Sequence, residues 1–259
     1  MKPAFALLLS SILVPIYAAT YSISDTVVPS SFLNFFEFQA IADPTMDDNY
    51  VDQSTAVSQG LVNQASSTSF IVRADDRTVL NPNGAGRNSV RIRSKKTYTT
   101  HVAVFDVHHM PQGCGTWPAI WETNEAQWPN GGEIDIVEGV NDQALMPLHY
   151  IRALNSTQLD CNAAVNGNSG CGVRFPTANS YGPSFNSNGG GWYAVERSSS
   201  AIRHFSNHNI IINLTFCGDW AGAVYGQSGC PSTCVDFVNN NPSAFSGAYF
   251  DFASIRVYQ

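Results

Sequence analysis

Short apolar runs of alternating phase, closed by Gly, Asn, Asp or Pro, recur along the chain, and beyond the N-terminus no sustained 3.6-residue repeat appears. The pattern predicts an all-β protein. Ser69-Phe70-Ile71-Val72-Arg73 reads as one strand, and after the turn-rich residues 81–86 a second runs over 89–93. There Val90 and Ile92 share one face, while Arg91 and Arg93 take the other, which in a two-sheet sandwich meets either solvent or a binding groove. Residues 98–107 form the longest strand-like run, apolar in places on both sides and therefore expected inside a sheet. Ile210, Ile212, Leu214 and Phe216 alternate with Ile211, Asn213 and Thr215, and residues 192–196 and 248–258 supply two further strands. No internal repeat or linker divides the chain, so one domain is expected.

One run breaks the simple alternation. In Glu133-Ile134-Asp135-Ile136-Val137-Glu138, entered from Asn130-Gly131-Gly132, the first two acids share a face and Glu138 is one residue out of step. A bulge at Ile136-Val137 would absorb that residue and return Glu138 to the face of Glu133. Two glutamates facing one substrate is the arrangement of retaining glycosidases, whose carboxyls sit about 5 to 5.5 Å apart, one as nucleophile and one as general acid/base. An acidic strand edge in solvent is the competing reading of such a hexapeptide. Its surroundings favour the catalytic one: Trp117, Trp121 and Trp128 lie within twelve positions of each other just before it, and flat indole faces stack on pyranose rings. At least one of the three is expected in the core.

Composition agrees with a sugar ligand. Of 259 residues 44% are hydrophobic and only 13% charged, against about 25% in ordinary soluble proteins. A net charge of -7 with no Lys/Arg cluster argues against nucleic acid and against an acidic membrane surface, and favours a neutral polysaccharide. Lys2, the apolar residues 4–17 and the Ala18-Ala19 boundary have the form of a secretory signal, too short to span a membrane comfortably. Residues 1–18 are thus expected to be a signal peptide on a secreted, extracellular chain whose domain is 19–259. The six cysteines of an exported chain predict disulfides, with Cys161–Cys171 an attractive short-range pair. Zinc is the rival for Cys114 beside His108-His109, but no CxxC or HExxH spacing supports it. Of two sequons, Asn155-Ser156-Thr157 lies in a polar stretch and is the expected glycan site, whereas Asn213-Leu214-Thr215 lies within a strand.

Gly131-Gly132-Glu133-Ile134-Asp135-Ile136-Val137-Glu138 resembles the E-x-D-x-x-E hallmark of glycoside hydrolase family 16. Gly113-Cys114-Gly115-Thr116-Trp117-Pro118-Ala119-Ile120-Trp121 and Trp128-Pro129-Asn130 are similar to its secreted fungal endo-β-1,3(4)-glucanases, or laminarinases. The likeness covers most of the chain from about Ala40 onward. It implies a concanavalin-like β-jelly-roll sandwich of two curved antiparallel sheets, with Glu133 as nucleophile, Glu138 as acid/base and Asp135 hydrogen-bonded to the nucleophile. It also places Arg91, Trp121, Trp128, His149 and Trp220 in the sugar cleft, although a structural role suits His149 nearly as well. The resemblance implies a monomer that needs no cofactor and whose partner is β-glucan polysaccharide or oligosaccharide. The reaction expected is retaining endo-hydrolysis of β-1,3 or mixed β-1,3/1,4 glucans. The alternatives are a cell-wall transglycosylase and an inactive glucan-binding paralogue.

The chain departs from the family pattern where Glu196-Arg197 runs almost directly into residues 203–209, a place where relatives carry a further strand and a long loop. The residues after His149 are also abbreviated. A sandwich with one strand fewer is expected, from an omitted exon or in a degenerate paralogue.

Overall fold

In the computed structural model the described residues are 20–41, 47–142, 148–149, 161–162, 164–165, 170–173, 178–198 and 205–259. The expected signal peptide and the Asn155 sequon lie outside them. Seven strands form the first half: β1 (Ile23–Val27), β2 (Phe36–Phe38), β3 (Asp48–Tyr50), β4 (Val62–Ser66), β5 (Ser69–Arg73), β6 (Arg87–Ser89) and β7 (Arg91–Ser94). Eight more follow: β8 (His101–His109), β9 (Thr116–Thr123), β10 (Glu133–Glu138), β11 (Leu148–His149), β12 (Gly172–Val173), β13 (Gly191–Arg197), β14 (Asn209–Phe216) and β15 (Tyr249–Tyr258).

Two antiparallel sheets carry the fold. One has the order β13-β8-β15-β5-β4, with β1 also paired to β15; the other runs β10-β9-β14-β7-β2. β15 can serve two partners along one edge because it is ten residues long: residues 249–252 pair with β5 and residues 255–258 with β1. Period-two alternation then builds the core. Phe105, Val107, Phe250 and Phe252 from the first sheet meet Ile120, Ile210 and Ile212 from the second, all fully buried. This is the expected jelly-roll sandwich, with β8 between two neighbours as its two apolar faces require. Short helices at Gln53–Ser58 and Cys234–Asn240 fill the ends, each started by a side-chain cap, Asp52 or Thr233, that accepts a backbone N–H.

Two strand boundaries differ from the pattern. The run expected from Tyr98 begins as a strand only at His101, because Tyr98 exchanges both backbone hydrogen bonds with His208 in an isolated bridge. Residues 89–93 are divided at Val90: β6 pairs in parallel with β3, whereas β7 joins β14 and β2. All six cysteines are in disulfides, Cys114–Cys230, Cys161–Cys171 and Cys217–Cys234, so none is left to ligate zinc.

The sandwich also holds a fully buried ionic cluster. Glu122 of β9 points into the core because its neighbour Trp121 points out; it accepts from His101 Nε2 of β8 at 2.8 Å and from Arg197 Nη1 of β13 at 2.5 Å. Burial alone would raise the Glu122 carboxyl, but the two partners outweigh it and hold the group below its ordinary value. The cluster therefore ties one sheet to the other. Arg197 Nη2 also donates to Phe205 O at 2.9 Å, which anchors the returning chain. Glu122→Ala leaves a buried guanidinium without its charge partner and is expected to lower stability by about 3–5 kcal/mol. Replacing Glu122 and Arg197 together by Leu and Met should recover part of that loss in denaturant unfolding. Equal loss in single and double variants would place the effect in packing instead.

Candidate active site

β10 owes its chemistry to a register shift against β9. Glu133, Ile134 and Asp135 face Thr123, Glu122 and Trp121, and after the shift Val137 and Glu138 face Ile120 and Ala119. Ile136 is thereby left without an opposite residue, as the sequence phase requires. Both Ile136 and Val137 turn into the core, at 3% and 0% exposure, and Glu138 rejoins the face of Glu133 and Asp135. The turn into β10 is held closely. Gly132 has φ of +81°, and the Phe205 ring occupies the space a Cβ would need there. Thr123 Oγ1 donates to Gly132 O at 2.7 Å and His208 Nε2 donates to Gly131 O at 2.9 Å.

The same face of the sheet forms a pocket of about 150 Å³ lined by Tyr50, Arg91, Trp117, Ala119, Trp121, Glu133, Asp135, Glu138, Asn213 and Thr215. Most of the polar groups in it are held by hydrogen bonds. Trp121 Nε1 donates to Asn213 Oδ1 at 2.7 Å, Asn213 Nδ2 donates to Thr215 Oγ1 at 2.7 Å, and Thr215 shares a short hydrogen bond with Tyr50. The Arg91 guanidinium lies 4.9 Å from the centre of the Trp121 ring. Its Nη2 donates to Glu125 Oε1 at 2.8 Å and its Nε to Gln39 Oε1 at 2.9 Å.

Three carboxyls share this pocket, and they cannot all be charged at low cost. Burial pushes Glu138 up to about 7, with the nearby Glu133 charge adding to it and the Trp117 N–H, donated to Oε1 at 2.8 Å, opposing it. Asp135, 4% exposed, is raised well above the carboxylate range by burial and then by the charges of Glu138 and Glu133. Glu133 keeps an open side to solvent, yet the protein crowding its other sides raises it too, against the Trp128 N–H at 2.8 Å and the Arg91 charge. Near neutrality the cluster thus holds protons as well as negative charge, as an acid and a nucleophile side by side require.

Of the residues expected in the cleft, Arg91 and Trp121 line the pocket with the three acids. Trp128 stands at the rim, 56% exposed, with its N–H on Glu133. Trp220, half-buried, is not among the lining residues but lies edge-on to Trp117 with centroids 5.7 Å apart. The backbone of His149 pairs with Gly172, and its side chain lies outside the described residues. The expectation that one of the three clustered tryptophans belongs to the core is wrong. Residues 117, 119 and 121 share the cleft face by period two, and Trp128 is at the rim. Tyr50 and Thr215 had no assigned role in the sequence reading, and Trp117 figured there only as one of three clustered indoles. Thr215 was findable, since it is two positions from Asn213 on one strand face, but Tyr50 arrives from β3 and carries no local signal. Asn213 itself is 6% exposed with its amide engaged, so the folded chain offers no room for a glycan there.

The XgeA-like catalytic domain model of GH16 matches residues 36–205 and 198–258. A probable glycosidase of Schizosaccharomyces pombe is 36% identical over 298 residues, covering 93% of this chain and 70% of that protein. The endo-1,3(4)-beta-glucanase xgeA of Emericella nidulans is 36% identical over 302 residues, covering 93% of this chain and 48% of that protein. The chain thus spans about half the length of several curated relatives it matches. Both alignments are longer than the 259 residues of this chain, so they open gaps in it. Among solved structures, laminarinase 16A from Phanerochaete chrysosporium, bound to beta-glucans in donor and acceptor sites, is 51% identical with a TM-score of 0.86, covering 93% of this chain and 100% of that one. An elongating GH family 16 beta-1,3-glucosyltransferase is 33% identical with a TM-score of 0.85 over the same shares.

A carboxyl whose folded proton affinity exceeds its unfolded one favours the native state at low pH and opposes it once it must ionise. For Glu138, raised to about 7, the cost grows between the unfolded value near 4.5 and the folded one, then levels. Glu138→Gln should therefore be more stable than the parent above pH 7, by at most about 3 kcal/mol, with the difference vanishing toward pH 4. Thermal unfolding from pH 4 to pH 8 measures this, and a pH-independent difference would contradict it.

Proposed function

Because the chain belongs to glycoside hydrolase family 16, we propose that it is a retaining endo-hydrolase of β-1,3 and mixed β-1,3/1,4 glucans, secreted and acting as a monomer on polysaccharide outside the cell. The observation that carries the reading is the register shift that turns Glu133, Asp135 and Glu138 into one pocket beside Arg91 and Trp121. Glu133, beside the Arg91 charge, attacks the anomeric carbon as the glycosidic bond breaks. Glu138, with its raised proton affinity, delivers its proton to the departing glycosidic oxygen. In the second half Glu138 takes a proton from water as that water displaces Glu133, and the configuration is retained. Asp135, buried between them with its proton affinity raised by burial and by both glutamates, is assigned the hydrogen bond that steadies the charge on the nucleophile. Trp121, with the Arg91 guanidinium over its ring, joins apolar surface to hydrogen-bond donors in one wall of the pocket, which suits a neutral pyranose. The three disulfides agree with an extracellular site of action. Among the described residues no helix is long and apolar enough to cross a membrane. The working domain is 19–259 after removal of residues 1–18.

A second reading is supported by the elongating glucosyltransferase that shares this fold at 33% identity. There a sugar hydroxyl takes the place of water in the second displacement, with the same two glutamates. A third reading, a glucan-binding paralogue without turnover, draws on the shortened connection after Arg197, where the two matched segments of the family model overlap at residues 198–205. Product analysis on laminarin with added acceptor oligosaccharide separates the three: shorter chains alone for hydrolysis, lengthened acceptor for transfer, retention without new reducing ends for binding only. Glu133→Gln is expected to abolish turnover of laminarin while the protein is still retained on a laminarin column. Full activity in that variant would remove Glu133 as nucleophile.

A further inference from the structure

An indole N–H donates and never accepts, so a carboxyl that it bonds must present it an acceptor oxygen, and the bond is stronger when that carboxyl is charged. Of the five tryptophans, two aim this group at the two glutamates. Trp117 Nε1 lies 2.8 Å from Glu138 Oε1, and Trp128 Nε1 lies 2.8 Å from Glu133 Oε2. Each glutamate thus has its own indole donor, and the two indoles are held differently. Trp117 is built into β9 between its partner strands and is braced edge-on by Trp220. Trp128 stands on the exposed turn before β10. Stacking against sugar would need only the ring faces, yet here each ring edge is committed to a carboxylate.

We propose, on the two-glutamate reading above, that Trp117 and Trp128 are positioning residues with separate tasks: Trp128 sets the acid limb of the pH–activity profile through Glu133, and Trp117 sets the alkaline limb through Glu138. A hydrogen bond given to a carboxylate favours its charged form over its neutral one. Trp128 therefore keeps the nucleophile ionised at lower pH than its crowded position allows. Trp117 limits how far burial raises the acid and, by occupying Oε1, directs the acidic proton to Oε2. Among the described residues, these charged and titratable groups face each site. Glu138 faces Glu133 and Asp135 on its own strand and Tyr181 from the segment entering the helix Gly182–Ser187. Glu133 faces Asp135 and Glu138 on its own strand and Arg91 from β7. A Trp→Phe change removes none of these, so what it moves belongs to the N–H.

The test is the pH dependence of kcat/KM on laminarin for the parent, Trp117→Phe and Trp128→Phe. Trp117→Phe is expected to move the alkaline limb up by roughly half to one pH unit, with a smaller change on the acid limb because the two carboxyls are coupled. Trp128→Phe is expected to move the acid limb up in the same way. Uniform replacement of the tryptophans by 5-fluorotryptophan, a stronger N–H donor of nearly the same shape, should move both limbs down and keeps the inference testable if a Phe variant does not fold. Unmoved limbs with a raised KM would show that the indoles only stack on sugar, and both variants moving one limb would refute the division of tasks. The premise has its own control in Glu138→Gln assayed on an aryl glycoside whose leaving group needs no acid. If that variant keeps the alkaline limb, Glu138 is not the acid. If it loses the limb and Trp117→Phe leaves it in place, the indole inference alone fails.

Discussion

Everything at the site depends on one unpaired residue. A strand with strict alternation offers every second side chain to the cleft, and with Glu133 and Asp135 there it would bury Glu138 in an apolar core at large cost. The shift between Asp135 and Val137 removes that conflict by giving the core two consecutive apolar residues, Ile136 and Val137. The bulge is therefore both a packing solution and a catalytic one. It is stable because the core side accepts the extra residue, and it is useful because the cleft side receives a third carboxyl.

The neighbouring strand β9 shows the same alternation put to a different use. Trp117 and Trp121 face the cleft, where their N–H groups bond Glu138 and Asn213, while Glu122, one step along, faces the core and joins His101 and Arg197. One strand thus touches two separate charge networks. The cleft network leaves carboxyls short of positive partners, so their proton affinity rises. The core network supplies the Arg197 guanidinium and a His101 N–H, which hold Glu122 below its ordinary value. Arg91 touches both kinds of partner: Glu125 and Gln39 hold its guanidinium over the Trp121 ring, and its charge also lowers the proton affinity of Glu133.

The local part of this arrangement could be read from sequence, and the long-range part could not. The phase error at Glu138 alone required a bulge, and the alternation in residues 210–216 gave a strand with Asn213 and Thr215 on its polar face. Tyr50 joins that polar face from more than 160 positions away, through a strand of three residues that no periodicity reveals. The expectation that one of the clustered tryptophans is buried fails for a related reason. Composition treats three clustered indoles as apolar mass that seeks burial, whereas the strand phase of residues 117 and 121, together with the acids that accept their N–H groups, keeps them at the cleft. Glu122 and Arg197 likewise had no local signal, because a buried ion pair is visible only once both strands are in place.

The same long-range contacts explain how a shortened connection is compatible with an assembled catalytic strand. The chain returns from Arg197 at the end of β13 to β14 through Phe205 and His208, and these two residues meet the turn that starts β10. Phe205 fills the space over Gly132, His208 holds Gly131, and Arg197, itself fixed by Glu122, holds the backbone of Phe205. The entry to β10 is therefore clamped by residues that follow the shortened connection. Among the described residues, however, β9 is the sole ladder partner of β10. The phase of β10 is secured by β9 and by the clamped turn.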